Sequence, residues 1–382
     1  MKNVLAVLSI LSVLTIAGCS ALPNVFGSDV VTVQTKTVEN GVRDVLTIND
    51  VQTIPRSPIL PDQSVLLSFI VENRDSMQAA RAYVDLFNAP TMKNGDTNDP
   101  NYGKYCNDYS GGNRICNPSD CGLAGCDILA REQKPISFSL RTPSENEIKS
   151  IKTDVKLNFK VGYKFAGSLN MLLPAVNMDE IIKRQRAGEK TDLAITKSYG
   201  SGPIQIDAEI QGAQYILSNV NTGSSISTSN PESVILFTVN DRGSGDLVSS
   251  EIKSGAMTII FSPDLKVSPQ TNNNQQDNSC SGGFAANDKF CCYVSQGGSY
   301  VTTGAGSAIP DSSTVCVNNR GTVETSRIPL YLKQSRSSLR FAVTTREQLR
   351  EPFRTYQITS GVDYDYEIRG AADVSVNPFQ NV

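Results

Sequence analysis

From Val30 onward the chain alternates apolar and polar positions with a period of two. Val65, Leu67, Phe69 and Val71 interleave with Leu66, Ser68, Ile70 and Glu72, and the run stops at Asn73. Ala82, Val84 and Leu86 share one face of a second strand, and Ile136, Phe138 and Leu140 one face of a third. The clearest pattern sets Val155, Leu157, Phe159, Val161, Tyr163 and Phe165 against Lys156, Asn158, Lys160, Gly162 and Lys164. Successive strand residues point to opposite faces, so this pattern makes a sheet with one buried and one wet side. Several such strands between turn-rich loops predict an all-β sandwich.

The order then recurs. SVLLSFIVEN (Ser64 to Asn73) is echoed by SVILFTVND (Ser233 to Asp241), and AYVDLFNAP (Ala82 to Pro90) by AMTIIFSPD (Ala256 to Asp264). A Cys-rich insertion follows in each half, then PISFSL (Pro135 to Leu140) is echoed by IPLYL (Ile328 to Leu332). Each half closes on an aromatic alternating strand, LNFKVGYKF (Leu157 to Phe165) and VDYDYEIRG (Val362 to Gly370). This is the signature of an internal duplication. Between the halves the pattern gives one short helix, with Asn177 as cap, Asp179 and Glu180 in the first turn, Lys183, Arg184 and Arg186 behind them, and Gly188 as terminator.

The N-terminus suggests a compartment. Met1-Lys2-Asn3 is a short positive segment before the apolar run Val4 to Ala17, too short for a membrane-spanning helix but suited to a signal-peptide core. It ends in Ile16-Ala17-Gly18-Cys19, which resembles a lipobox with cleavage before Cys19 and lipidation of that thiol. The expected layout is a signal peptide at 1–18, a tether at 19–40 and an immunoglobulin-like sandwich at 41–173 with a Cys-rich insertion at 94–128. A helical linker at 174–198 and a second sandwich at 199–382, with its insertion at 270–320, complete it.

Of the nine Cys, one is Cys19 and the rest form two even clusters: Cys106, Cys116, Cys121 and Cys126, then Cys280, Cys291, Cys292 and Cys316. In an exported chain this reads as two local disulfide sets. Three connectivities are open in the first cluster. Cys291 and Cys292 are adjacent, so each should reach to Cys280 or Cys316, which leaves two connectivities in the second. Zinc is disfavoured, because neither cluster holds a CxxC pair.

Composition narrows the task. The chain has 382 residues, no His and no Trp, with 35 Lys+Arg against 38 Asp+Glu. Lack of imidazole removes Ser-His-Asp and Cys-His machinery and the HExxH zinc site. A net charge of −3 gives no footprint for nucleic acid. Ser250-Glu-Ile-Lys253 matches an SxxK pattern but lacks the accompanying KTG and SDN elements.

The segment Phe237-Thr-Val-Asn240-Asp-Arg-Gly243-Ser-Gly245 resembles the immunoglobulin-like adhesion-type domains called CARDB, found in tandem in archaeal and bacterial envelope proteins. Val45 to Asn73 is similar to the first two strands of such domains, as is the stretch from Pro203-Ile-Gln-Ile-Asp207 through Asn240. The resemblance covers about half the chain, and the Cys-rich insertions depart from the common pattern. It implies tandem sandwiches in an envelope lipoprotein and supplies no catalytic residues.

Two acidic groups are calcium candidates. Asp363, Asp365 and Glu367 sit at alternate positions of one strand, and Asp96 and Asn98 lie in an oxygen-rich loop where Pro100 takes a place that a ligand would need. Both read more simply as solvent-facing polar surface, so no metal and no cofactor is assigned. The reading is a non-enzymatic, lipid-anchored cell-surface protein, held to the membrane by its N-terminal lipid and binding an envelope protein or surface polymer. The alternative is a carbohydrate-binding or carboxylate-dependent glycan-degrading protein, for which the lack of Trp is unfavourable.

Overall fold

A computed structural model describes residues 31–39, 41–212, 214–218, 232–269, 280, 283–295, 310–330 and 336–379. The expected signal peptide, Cys19 and residues 20–30 lie outside the described residues. The main strands of the first half are β1 (Val31–Glu39), β2 (Leu46–Ile54), β3 (Ser64–Asn73), β4 (Ala80–Asn88), β5 (Lys93–Asn94), β6 (Cys126–Ile128), β7 (Gln133–Arg141) and β8 (Thr153–Asn177). Helix α1 (Glu145–Ile148) precedes β8 and helix α2 (Met178–Ala187) follows it. The second half has β9 (Thr191–Tyr199), β10 (Ile204–Gln211), β11 (Ser233–Asp241), β12 (Met257–Phe261), β13 (Leu265–Val267), β14 (Cys291–Val294), β15 (Thr314–Val317), β16 (Arg336–Thr345) and β17 (Phe353–Val376).

The protein is an all-β sandwich structure, and the two halves are wired alike. A four-stranded sheet β2-β3-β7-β5 covers the first half and β10-β11-β16-β13 the second. Behind the first lies β6-β4-β8, behind the second β15-β12-β17, so strands of like order occupy like places. The apolar positions that alternate in the sequence are the buried ones: Val65, Leu67, Phe69 and Val71 on β3, and Ile235, Phe237 and Val239 on β11. Phe69 stacks on Phe159 with ring centroids 4.1 Å apart, and Phe237 meets Phe341 edge-on at 5.5 Å. Aromatic pairs of this kind add to simple area burial in a core.

The strands that close each half run on past the expected ends. β8 and β17 are 25 and 24 residues long, and they pair antiparallel along their whole length, from Thr153↔Val376 to Val176↔Phe353. β4 pairs with the first part of β8, and β12 with the first part of β17. Each long strand therefore serves first its own sandwich and then the other, and one continuous cluster of buried residues runs through both halves. The alternation continues beyond Phe165 through buried Leu169, Met171 and Leu173, which keeps the strand straight and two-faced.

Three details differ from expectation. Residues 31–39 are not tether but strand β1, paired in parallel with β9 from Val31↔Thr191 to Glu39↔Tyr199. The linker is helical over 178–187 only, with strand on either side of it. The strand beside β11 that matches Pro135–Leu140 is β16, with Leu339, Phe341 and Val343 buried, rather than IPLYL, whose Ile328 pairs with Ile252. The helix itself follows its sequence: the Asn177 side chain accepts from Asp179 N–H at 2.9 Å, and Gly188 ends it at φ 67°.

Candidate functional site

Disulfides fix both Cys-rich segments. The pairs are Cys106–Cys116, Cys121–Cys126, Cys280–Cys291 and Cys292–Cys316. In the second cluster the adjacent cysteines part as expected, Cys291 to Cys280 and Cys292 to Cys316. Asp120, Cys121 and Cys126 lie close enough to suggest a metal group, but both sulfurs are spent in one disulfide. The first insertion is docked by Glu147 on α1, which takes Lys93 at 2.7 Å, the Tyr105 hydroxyl at 2.5 Å and the Ser144 N–H at 2.6 Å. Desolvation opposes its charge, but these donors outweigh it and lower the carboxyl to about 2.

Among the calcium candidates, Asp96, Asp365 and Glu367 are engaged by neighbouring groups. Asp96 accepts the backbone N–H of Asn98 at 2.9 Å, and the Asp96 N–H is itself held by Asn94, as in successive Asx turns. On β17, Asp365 pairs with Lys253. Glu367 is buried and pairs with Arg369 at 2.6 Å and Lys160 at 3.3 Å, which hold its carboxyl below the ordinary range against the cost of desolvation. Asp363 differs, since half-burial pushes it up to about 6. The row expected to be one solvent-facing surface is thus partly buried, with Asp365 and Glu367 in ion pairs, and Lys253 of the SxxK pattern is one of the partners.

The crossing of β8 and β17 holds a group that the sequence reading missed. Tyr163 and Tyr366 are opposite each other, as are Phe165 and Tyr364, with Tyr163 and Tyr366 rings 5.8 Å apart. Tyr366 donates to buried Asp241 at 3.1 Å, and Asp44 accepts the Ser244 N–H at 2.8 Å nearby. Burial, followed by the charges of Asp44 or Asp241, keeps Tyr163 and Tyr366 firmly protonated. Tyr163 lies against the start of β2 at Leu46, and Tyr364 against the start of β10 at Ile204. The group welds the two sandwiches at their seam. Paired aromatics in the two closing strands, Tyr163 with Phe165 and Tyr364 with Tyr366, were its only signal in the sequence.

One open site lies away from the seam. A groove of about 340 Å³ separates β2 from the last part of β17, with Val51, Gln52 and Arg56 on one wall and Ala371, Ala372 and Asp373 on the other. Asp50 at φ 52° and a register shift between Asn49 and Gln52 bulge the β2 edge there. Among the described residues no helix is long and apolar enough to cross a membrane.

No family model matches the chain, and no curated protein matches it. Solved structures with which it aligns include one described as BspA_C_WT, at 9% identity over 87% of this chain and 99% of that one, with a TM-score of 0.12. Another is a mutant of the CFA/I enterotoxigenic E. coli adhesin CfaE, at 8% identity over 93% and 99%, TM-score 0.10. A third is a chaperone–tip adhesin complex of CFA/I fimbriae biogenesis, at 10% identity over 93% and 98%, TM-score 0.08. At such scores the likeness carries no argument.

Proposed function

We propose that the protein is a non-enzymatic cell-envelope lipoprotein, anchored through Cys19, that presents a rigid pair of sandwiches as a surface-exposed binding or scaffold module. The observation that carries this reading is the build: two sandwiches share β8 and β17, and four disulfides staple their insertions. Disulfides suit an oxidising, extracellular setting. A fixed frame with stapled loops and an open groove suits recognition more than turnover. The lipobox adds the membrane as one partner, and an envelope protein or surface polymer would be the other. The glycan-degrading alternative is weaker, because two of its three ladder carboxylates, Asp365 and Glu367, are tied up by Lys253, Arg369 and Lys160. Mass spectrometry of the protein from membranes tests the reading: the mature chain should start at a lipid-bearing Cys19, and Cys19→Ser should release it from the membrane fraction. An unmodified Cys19, or hydrolysis of envelope glycans by the purified chain, would overturn it.

A further inference from the structure

The two sandwiches differ at the strand position beside the far end of each long strand. In the second, residues 169–172 of β8 carry β9 on the side away from β17, paired antiparallel from Leu169↔Tyr199 to Leu172↔Thr196. The relation that exchanges Tyr163 with Tyr364, and their partners Tyr366 with Phe165, carries 169–172 onto 370–373 of β17. There no strand pairs among the described residues.

The backbone is set for one. Odd-numbered residues of β17 turn their N–H and C=O away from β8: Val248 donates to the Asp365 carbonyl at 3.0 Å, and Ile59 to the Ser375 carbonyl at 2.8 Å. Between those covers stand Arg369, Ala371 and Asp373, whose outward groups make no backbone hydrogen bond among the described residues. Exposed edge groups of this kind accept an added strand. The groove wall also sets a charge preference. Opposite Met171 in the filled position is Lys197 of β9, whose ammonium lies 2.8 Å from Asp207 on β10. The open groove has exposed Arg56 in the β2-side wall, with no ion pair to it among the described residues, and exposed Asp373 in the other, so an acidic side chain suits the Arg56 side.

We propose that the edge at 369–373 binds an extended segment of a partner polypeptide as an antiparallel strand, with an acidic side chain turned toward Arg56. This names the partner class of the binding reading above and rests on it only for the existence of a partner. The test needs no anchor. The probes are two fluorescein-labelled nonapeptides, TDLAITKSY, which is β9 itself, and TDLAITESY, with Lys replaced by Glu. Titrated against the full chain with anisotropy as readout, the Glu peptide should bind about 3-fold or more tightly than the Lys peptide, and Arg56→Glu should invert that order. The bound Glu peptide should slow amide exchange at 369–373 about tenfold. Ala371→Pro removes an outward N–H with no intramolecular partner, so it should weaken binding at least tenfold with an unchanged melting temperature. Should that variant not fold, the Arg56→Glu inversion decides. Equal affinity for the two peptides in both proteins, or no slowing of exchange at millimolar peptide, would overturn the site. An envelope partner that binds with this edge silent would overturn it too, while leaving the general binding reading standing.

Discussion

The first sandwich and the second are built from the same strand order, yet their cysteines do different work. In the first, Cys106–Cys116 and Cys121–Cys126 close small loops from largely buried cysteines, and Glu147 docks the first of these loops through Tyr105. In the second, Cys292–Cys316 joins two neighbouring strands, β14 and β15, with both cysteines fully buried in the core. Both halves use a bridge to close a loop, and the second also uses Cys292–Cys316 to join strands of a sheet. The two halves share a core pattern and strand order and differ at edges and insertions, where changes cost least.

The comparison can be broken most strongly in the cores. Phe159→Ala removes the ring stacked on Phe69, and Phe237→Ala the ring packed against Phe341 and Phe261. Each should cost about 3–5 kcal/mol. Because β8 and β17 belong to both sandwiches, either lesion should lower one shared calorimetric transition. Two separate transitions would show that the halves are thermodynamically independent.

Next come the staples. Replacing Cys292 and Cys316 by Ser opens a loop with a sequence separation of 24, against 5 for Cys121 and Cys126. Loop-closure entropy puts the losses at about 3 and about 2 kcal/mol, to be read from urea midpoints. Equal losses would mean that loop length does not set what these bridges contribute.

Glu147 gives a smaller effect with a pH signature. Its carboxyl is lowered to about 2, so its contribution is present above the ordinary value of 4.5 and lost as pH falls through about 2. Allowing for solvent screening, Glu147→Gln should cost about 1–2 kcal/mol at pH 7 and flatten stability between pH 4.5 and 2. Asp363 has the opposite sign. Raised to about 6, it stabilises the fold fully below its ordinary value of 3.8 and loses that contribution as pH rises through about 6. Asp363→Asn should therefore gain about 1 kcal/mol at pH 8 and nothing at pH 3.5, as measured by thermal melts across pH.

Much of this fold could be read from residues in order. Strands β3, β4, β7 and the first part of β8 follow their alternation, and α2 follows its cap and terminating glycine. What escaped was pairing between distant segments. The alternation in 166–177 is blurred by Leu172-Leu173-Pro174, and only the partner β17 shows that the strand continues. IPLYL looked like a core strand because five residues cannot reveal whether a sheet has room for them; β16 has the longer two-faced pattern and takes the place. The ladder on β17 was visible as a row of carboxylates, but the ion pairs it makes with Lys160 and Lys253 come from far away in sequence. The open groove had no local signal beyond the small run Gly370-Ala371-Ala372.

The parallel ladder of β1 on β9 has a mechanical consequence. The chain meets the second sandwich at residues 31–39 before it enters the first at Leu46. Tension applied ahead of Val31 would thus meet nine paired residues at the flank of β8 before it reaches β2. With strand rise near 3.3 Å per residue, β8 and β17 form a beam about 80 Å long along which that load would spread.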